Sequence, residues 1–330
     1  MNLLILGGTG FLGRHLVEAA LGDGHRVTLF NRGLREPGLF PEVETIKGDR
    51  EADLSALLGR RWDAAIDTCG YVPRVVRASA ALLADAVDHY TFVSSISVYS
   101  DAIGPGADEG APVEELDDPT AEEVTGETYG GLKVLCERAA EEEMPGRVLN
   151  VRPGLISAPH DPTDRFTYWP RRIAAGGEVI APDRPERGVQ FIDARDLAAW
   201  IVEMAADRRT GTYNATGPDY ELQMGRLLEE CEAVSGGGAD LVWVSEDFLE
   251  ENGVEPFTEL PLWVPREYGA LQAIDCGKAI AAGLTFRPLS ATIRDVLEWD
   301  STREAGTRLA AGFKPERERT LLSAWHGGNL

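Results

Sequence analysis

A short apolar run, Leu3-Leu4-Ile5-Leu6, passes directly into Gly7-Gly8-Thr9-Gly10-Phe11-Leu12-Gly13, which opens a segment with apolar residues at helical spacing. A chain that leaves a buried strand through spaced glycines and enters a helix has few options. Gly7 permits the tight turn, Gly10 lets the backbone approach a pyrophosphate, and Gly13 allows close helix-strand packing, with the phosphates on the helix N-terminus. The triplet alone is weak evidence, but the strand before it and the helix after it supply the context that a dinucleotide site requires. Thr9, Phe11 and Leu12 share the loop and join the glycines as candidate cofactor contacts.

The strand-helix rhythm continues. HRVTLF (25–30), VETIKG (43–48), WDAAIDT (62–68) and HYTFVSS (89–95) are short and β-rich, and segments such as 11–21 and 75–87 have helical spacing between them. Such alternation builds βαβ units and a parallel sheet covered on both faces. The expected fold class is α/β, a Rossmann-type doubly wound parallel sheet with a smaller C-terminal substrate lobe. Residues 101–128 turn acidic, with three prolines and four glycines, and read as a surface excursion. A helix over 129–142 follows, and RVLNVR (147–152) returns to the sheet. The expected domains are a dinucleotide-binding core over 1–154 and a substrate lobe over most of 155–330. Within the latter, 187–216 returns to the core through VQFI (189–192) and a helix at 197–205. KPERERT (314–320) reads as a solvated helix face.

Two places in this framework carry chemistry. The second strand ends Phe30-Asn31-Arg32-Gly33, where an NAD-selective site presents an acid to the ribose hydroxyls. Neutral Asn31 beside Arg32 removes that repulsion and offers a fork donor to a 2′-phosphate, with Arg35 to assist. NADP(H) is therefore favoured, and NAD(H) is acceptable if Arg32 points into solvent. Further on, Tyr129-Gly130-Gly131-Leu132-Lys133 sets a phenol and an ammonium on one helical face. A phenol of pKa about 10 is a poor base at neutral pH, and a neighbouring ammonium stabilises the phenolate. VSSISVYS (93–100) falls at the C-terminal end of a strand, the edge where such sheets bind ligands, and brings Ser95 to the same reaction. Ser95, Tyr129 and Lys133 are the candidate catalytic residues, and Tyr99 is a candidate substrate contact.

Charge and cysteine usage narrow the partners. A formal charge of −23 repels the phosphates of nucleic acid and anionic lipid, and its plain use is solubility. Cysteines 69, 136, 231 and 276 form no C-x-x-C pair and no metal-like cluster with the five histidines, which argues against zinc and disulfides and for a reducing cytoplasm. Cys136 reads as a small buried apolar residue, and His15 and His89 as structural. The LLIL run is too short for a signal sequence or a membrane span.

In chain order, GGTGFLG, Gly48-Asp49-Arg50, VSSISVY, YGGLK, Arg152-Pro153-Gly154 and VQFIDARDLA (189–198) resemble the motifs of an extended short-chain dehydrogenase/reductase of the NAD-dependent epimerase/dehydratase group. The likeness covers most of the chain. It implies that Asp49, with Arg50 beside it, lies at the adenine end of the cofactor, that Thr68, Cys69 and Gly70 line its path, and that Pro153 borders the nicotinamide. It also implies Tyr129 as acid/base, Lys133 lowering its pKa and binding ribose, Ser95 orienting the substrate oxygen, and a homodimer through helices beside YGGLK. Two departures stand out. Nucleotide-sugar dehydratases of this kind carry Asp-Glu where Ile96-Ser97 stands, which disfavours dehydration. Many nucleotide-sugar epimerases begin the later segment with a diphosphate-clamping arginine, where this chain has Val189, with Arg187 two residues earlier. Asn31-Arg32-Gly33 and VQFIDARDLA also resemble an atypical branch that includes chloroplast stem-loop RNA-binding proteins. The intact Tyr-x-x-x-Lys and the acidic charge count against that function.

Arg165, Tyr168, Trp169 and Arg172 follow the Arg152-Pro153-Gly154 segment and could present an aromatic wall with cationic groups to a substrate, although packing competes with that reading for each. Trp243, Trp263 and Trp299 read as lobe core. The expectation is an oxidoreductase that moves hydride between NADP(H) and a secondary alcohol or ketone, with reduction as the net direction. Its substrate class is a small alcohol or carbonyl compound, sugars and nucleotide sugars included. An epimerase with retained NAD is the alternative within the same chemistry. A dinucleotide-sensing regulator or an RNA-binding relative are the alternatives outside enzymology.

Overall fold

The computed structural model describes residues 1–328. Asn2–Leu6 (β1), Arg26–Asn31 (β2), Glu44–Lys47 (β3), Ala64–Asp67 (β4), His89–Val93 (β5), Val148–Pro153 (β6) and Gly211–Ala215 (β7) form one sheet in the order β7-β6-β5-β4-β1-β2-β3. Every neighbouring pair is parallel. The runs are apolar almost throughout because both faces are covered: Leu3 to Leu6 are fully buried, as are Ala65, Ile66, Tyr90 and Phe92. Phe11–Gly22 (α1), Pro73–Leu83 (α2), Tyr129–Glu143 (α3) and Ala194–Ala206 (α4) supply the cover, α1 packing beside α4 and α2 beside α3. One core cluster runs from Leu4 and Leu6 through Val76 and Leu83 to Tyr90, Phe92, Cys136 and Met144. Each large apolar side chain buried there contributes on the order of 1.5–3 kcal/mol. The strand order reverses between β1 and β4, and the crevice outside their C-terminal ends is where such sheets bind ligands.

The described residues form two compact units. The first comprises Met1–Leu155, Ala194–Gly217 and Ile274–Thr285; the second comprises Ile156–Asp193, Pro218–Ala273 and the chain from Phe286 onward. Residues 187–193, read from the sequence as part of the core, lie in the second unit. There Val189 N donates to Leu222 O at 2.9 Å, and Ile192–Asp193 pairs with Ile156–Ser157. The strand that closes the central sheet is instead β7, whose Gly-Thr-Tyr-Asn-Ala sequence has no apolar run to mark it. Residues 274–285 join the first unit through Asp275 N to Ala107 O at 2.9 Å and Trp200 Nε1 to Ala282 O at 3.1 Å. The 101–128 excursion turns back on the segment after β5, with Glu114 N donating to Val98 O at 2.7 Å and Ser100 N to Pro112 O at 3.1 Å.

The second unit contains a parallel pair, Gly177–Pro182 with Ala239–Val244, and helices at Tyr168–Ala174, Met224–Ser235, Leu289–Ser301 and Pro315–Gly328. The last of these is not wholly solvated as the charge pattern suggested: Glu318 is buried, pairs with Arg172 at 2.8 Å and accepts from Ile180 N at 3.2 Å. Among the described residues no helix is long and apolar enough to cross a membrane.

Candidate active site

The turn from β1 into α1 shows why its glycines are needed, and the reasons differ. Gly7 and Gly8 have φ of 110° and 90°, where side chains are strained. A Cβ on Gly13 would come within 2.8 Å of Gly8 N, so Gly13 is what lets the helix sit against the turn. Gly10 is the N-cap of α1 with no side-chain cap, and its carbonyl accepts the helix's first backbone bond from Arg14 N at 2.8 Å. The first-turn N–H groups therefore lack helical partners and face the crevice with the positive end of the helix dipole. Beside Gly10 is open space with one guanidinium near it. These features fit the pyrophosphate of a dinucleotide. Thr9 and Phe11 are half-buried on the same loop, Phe11 lying edge-on to His15, while Leu12 is buried.

Asn31 is committed to the protein rather than to a ribose. Its Nδ2 donates to Gly7 O and its Oδ1 accepts from Gly33 N, both at 2.9 Å, which stitches the end of β2 to the glycine turn. Arg32 is exposed. Asp49 lies just after β3, where its Oδ1 accepts from Glu51 N at 3.1 Å. Arg50, expected at the cofactor, is instead built into the interior. It forks onto Asp67, at 2.5 Å and 2.7 Å, and donates to Ser79 Oγ at 3.1 Å. Tyr90 Oη donates to the same carboxylate at 2.7 Å, and Cys69 N does so at 3.1 Å. Burial alone would push the Asp67 carboxyl up, but Arg50, together with the Tyr90 hydroxyl and the Cys69 N–H, more than offsets it and holds the group below its ordinary range. The signal was an aspartate closing the apolar strand Ala-Ala-Ile-Asp, because an acid at a buried strand end demands a partner. This cluster fixes the Thr68-Cys69-Gly70 turn along the expected cofactor path, and Thr68 Oγ1 adds a bond to Leu6 O at 2.9 Å.

The reactive groups come from two elements that meet closely. Ser95 caps the turn after β5, its Oγ accepting from Ser97 N and donating to Ser97 Oγ, both at 3.1 Å. Tyr129 and Lys133 occupy the first turns of α3, and two glycines explain how that helix end gets there: a Cβ on Gly130 would collide with the Ser97 carbonyl, and one on Gly131 with Leu116. Ser95 lies close enough to the Tyr129 phenol to favour its ionised form, yet burial prevails and pushes the phenol above its ordinary value. Lys133 is buried and donates to Gly70 O and Val93 O, both at 2.8 Å, with its Nζ 6.0 Å from the centre of the Tyr129 ring. Desolvation pushes its pKa down to about 8. The expected lowering of the phenol by Lys133 is thus not what the free protein shows, because the ammonium is drawn to two carbonyls behind the site. Two of its three N–H groups are used, which leaves one to give. Tyr71, not singled out from the sequence, stands beside this group: it is 47% exposed, with its ring centre 5.1 Å from Lys133 Nζ. Pro153 ends β6 at the same sheet edge, in register with Ala215.

Three of the expected substrate contacts are structural. Tyr99 is buried, donating to Asn214 Oδ1 at 2.6 Å and accepting from Arg152 Nη1 at 3.1 Å. Trp169 is fully buried in the second unit and donates from Nε1 to Pro261 O at 2.8 Å. Tyr168 is buried beside it, edge-on at 5.0 Å, with its ring against Gly312. Arg165 stacks over Phe257, 5.5 Å from its centre. Arg172 is held by Glu318 and by Gly176 O. Arg187 is buried as well, paired with Glu246 at 3.1 Å and hydrogen-bonded to Val264 O. Among the described residues no group of three or more His, Cys, Asp and Glu is arranged to hold a metal ion.

Comparison with known proteins shows the family and the fold. The model of the NAD dependent epimerase/dehydratase family matches residues 3–216. No curated protein sequence matches the chain. Among solved structures, UDP-N-acetylglucosamine 4-epimerase from Bacillus cereus superposes with a TM-score of 0.68 at 16% identity, over 93% of this chain and 99% of that one. UDP-glucuronic acid 4-epimerase from Bacillus cereus, in complex with NAD, gives 0.66 at 16% identity over 91% and 99%. A human epimerase family protein with NADPH gives 0.61 at 18% identity over 90% and 99%. At such identities the likeness is one of fold.

Proposed function

The chain belongs to the NAD dependent epimerase/dehydratase family, and we propose that it is an oxidoreductase interconverting a secondary alcohol and a ketone, with NADP(H) as its preferred cofactor. The observation that carries this reading is the meeting of Ser95, from the end of β5, with Tyr129 and Lys133, from the start of α3. A bound nicotinamide supplies or accepts the hydride. The glycine turn and the first-turn N–H groups of α1 would hold the pyrophosphate, and the remaining N–H of Lys133 would be free to donate to a ribose hydroxyl. Tyr129 Oη gives a proton to the substrate oxygen in reduction and takes it back in oxidation, while Ser95 Oγ donates a hydrogen bond to the same oxygen. Burial keeps the phenol protonated, the form that donates to a carbonyl oxygen in the reductive direction. Arg32, at a strand end without an acid, offers a fork donor to a 2′-phosphate, and its exposure leaves NAD(H) acceptable as well.

The named neighbours include sugar-nucleotide epimerases, so epimerisation with a retained NAD is the second reading. Against a diphosphate-bearing substrate stands Arg187, whose charge is already taken by Glu246. A small carbonyl compound or simple sugar is the better substrate class. The experiment is mass spectrometry of small molecules released from the denatured protein, followed by NADPH oxidation with a panel of ketones. An empty protein that oxidises NADPH, with Tyr129→Phe slower by at least about a hundredfold, is the expected result. NAD retained at about one per chain would replace the reductase with the epimerase, and an undiminished Tyr129→Phe would remove the mechanism.

A further inference from the structure

The segment after β2 is tied down at both ends beside the glycine turn. At its start Asn31 bridges Gly7 O and Gly33 N. At its far end Glu36 pairs with Arg14 of α1 at 3.4 Å and takes a φ of 39°, a conformation that a residue with a side chain adopts when its surroundings impose it. Arg35, just before Glu36, is thereby delivered over the mouth of the turn. Its Nη1 lies 3.8 Å from where a Gly10 Cβ would be, and no other atom outside the adjoining backbone comes within 4 Å of that point.

This sets Gly10 apart from its neighbours. Gly7, Gly8 and Gly13 are required by the protein's own backbone and packing, whereas a side chain at Gly10 would meet only that guanidinium. The gap is bounded by the unpaired N–H groups of α1 on one side and by Arg35 on the other. Arg35 is exposed and makes no hydrogen bond or ion pair with any described residue. Its charge also acts on Tyr71, opposing the burial that pushes that phenol up.

Resting on the cofactor reading above, we infer that Arg35 is a ligand of the pyrophosphate shared by NAD(H) and NADP(H), and that Arg32 alone reads the 2′-phosphate. A guanidinium matches two phosphate oxygens at once, and such charge-assisted bonds are among the stronger ones a protein makes. The two arginines, three positions apart on one strap, thus divide the work: one sets affinity for any dinucleotide, the other sets the choice between them.

The test is calorimetric titration of wild type, Arg35→Ala, Arg35→Lys and Arg32→Ala with NADPH, NADH and ADP-ribose, the last keeping the pyrophosphate and lacking nicotinamide. Arg35→Ala should weaken all three by a similar factor, roughly ten- to a hundredfold, with the NADPH-to-NADH ratio unchanged and part of the loss recovered in Arg35→Lys. Arg32→Ala should weaken NADPH alone. A loss in Arg35→Ala confined to NADPH would make Arg35 a second 2′-phosphate ligand and overturn the inference, as would no loss at all. Wild-type protein that binds none of the three would overturn the cofactor reading itself, a result distinct from either.

Discussion

Lys133 concentrates the electrostatics of the site in one atom. An ammonium buried among Phe92, Tyr71 and Tyr129 and held by two carbonyls is desolvated, and its pKa falls from an ordinary 10.5 to about 8. The consequence for stability has a definite sign. Between about pH 8 and 10.5 the unfolded chain keeps a proton that the folded protein has lost, so stability attributable to this group rises with pH across that window. Measured by denaturation at about pH 7 and about pH 9.5, wild type should gain about 2 kcal/mol relative to Lys133→Met. A difference that stays constant would mean that the ammonium remains charged throughout. The Tyr-x-x-x-Lys spacing told which two residues meet on one face, but not that burial and backbone carbonyls would outweigh their mutual influence in the free protein.

Helix α3 shows how an element is held so that such residues can act. Its start is let in by glycines against the Ser97 carbonyl and Leu116, and its middle is pinned by Glu137, one turn beyond Lys133. Glu137 receives both arms of Arg152 from β6, at 2.9 Å and 2.7 Å, with both residues buried, and Arg152 carries the contact on to Tyr99 and thence to Asn214 of β7. Removing one partner of such a pair leaves a buried charge uncompensated. Glu137→Gln should therefore cost roughly 3–5 kcal/mol in denaturant unfolding, and Glu137→Met combined with Arg152→Met should recover most of it. A double variant no better than the single one would show that the geometry of the pair, rather than the stranded charge, carries the stability. The Arg-Pro-Gly motif was visible in the sequence, yet its arginine acts inward on the helix.

For the molecule as a whole, charge is the dominant bulk property. A net −23 spread over 330 residues makes the folded protein repel itself, and many of its arginines are spent on internal carboxylates. Raising sodium chloride from about 10 mM to about 0.3 M shortens the range of that repulsion and should raise Tm by a few degrees. A Tm that falls with salt would mean that surface ion pairs such as Arg74 with Glu122 contribute more than the self-repulsion costs. The matched family and the neighbouring folds place this acidic surface on the framework of the NAD dependent epimerase/dehydratase family.

The first six strands of the sheet with their covering helices, the glycine turn and the Tyr129-Lys133 face were legible in the chain because each depends on neighbours a few residues apart: periodicity, positive φ and helical spacing are local properties. The roles of Arg50, Tyr99, Trp169 and Arg187 were not. Their partners, Asp67, Asn214, Pro261 and Glu246, lie between 17 and 115 positions away. Whether a guanidinium or a phenol serves a ligand or the interior depends on which buried group it must satisfy, and that pairing exists only once the unit that contains it has folded.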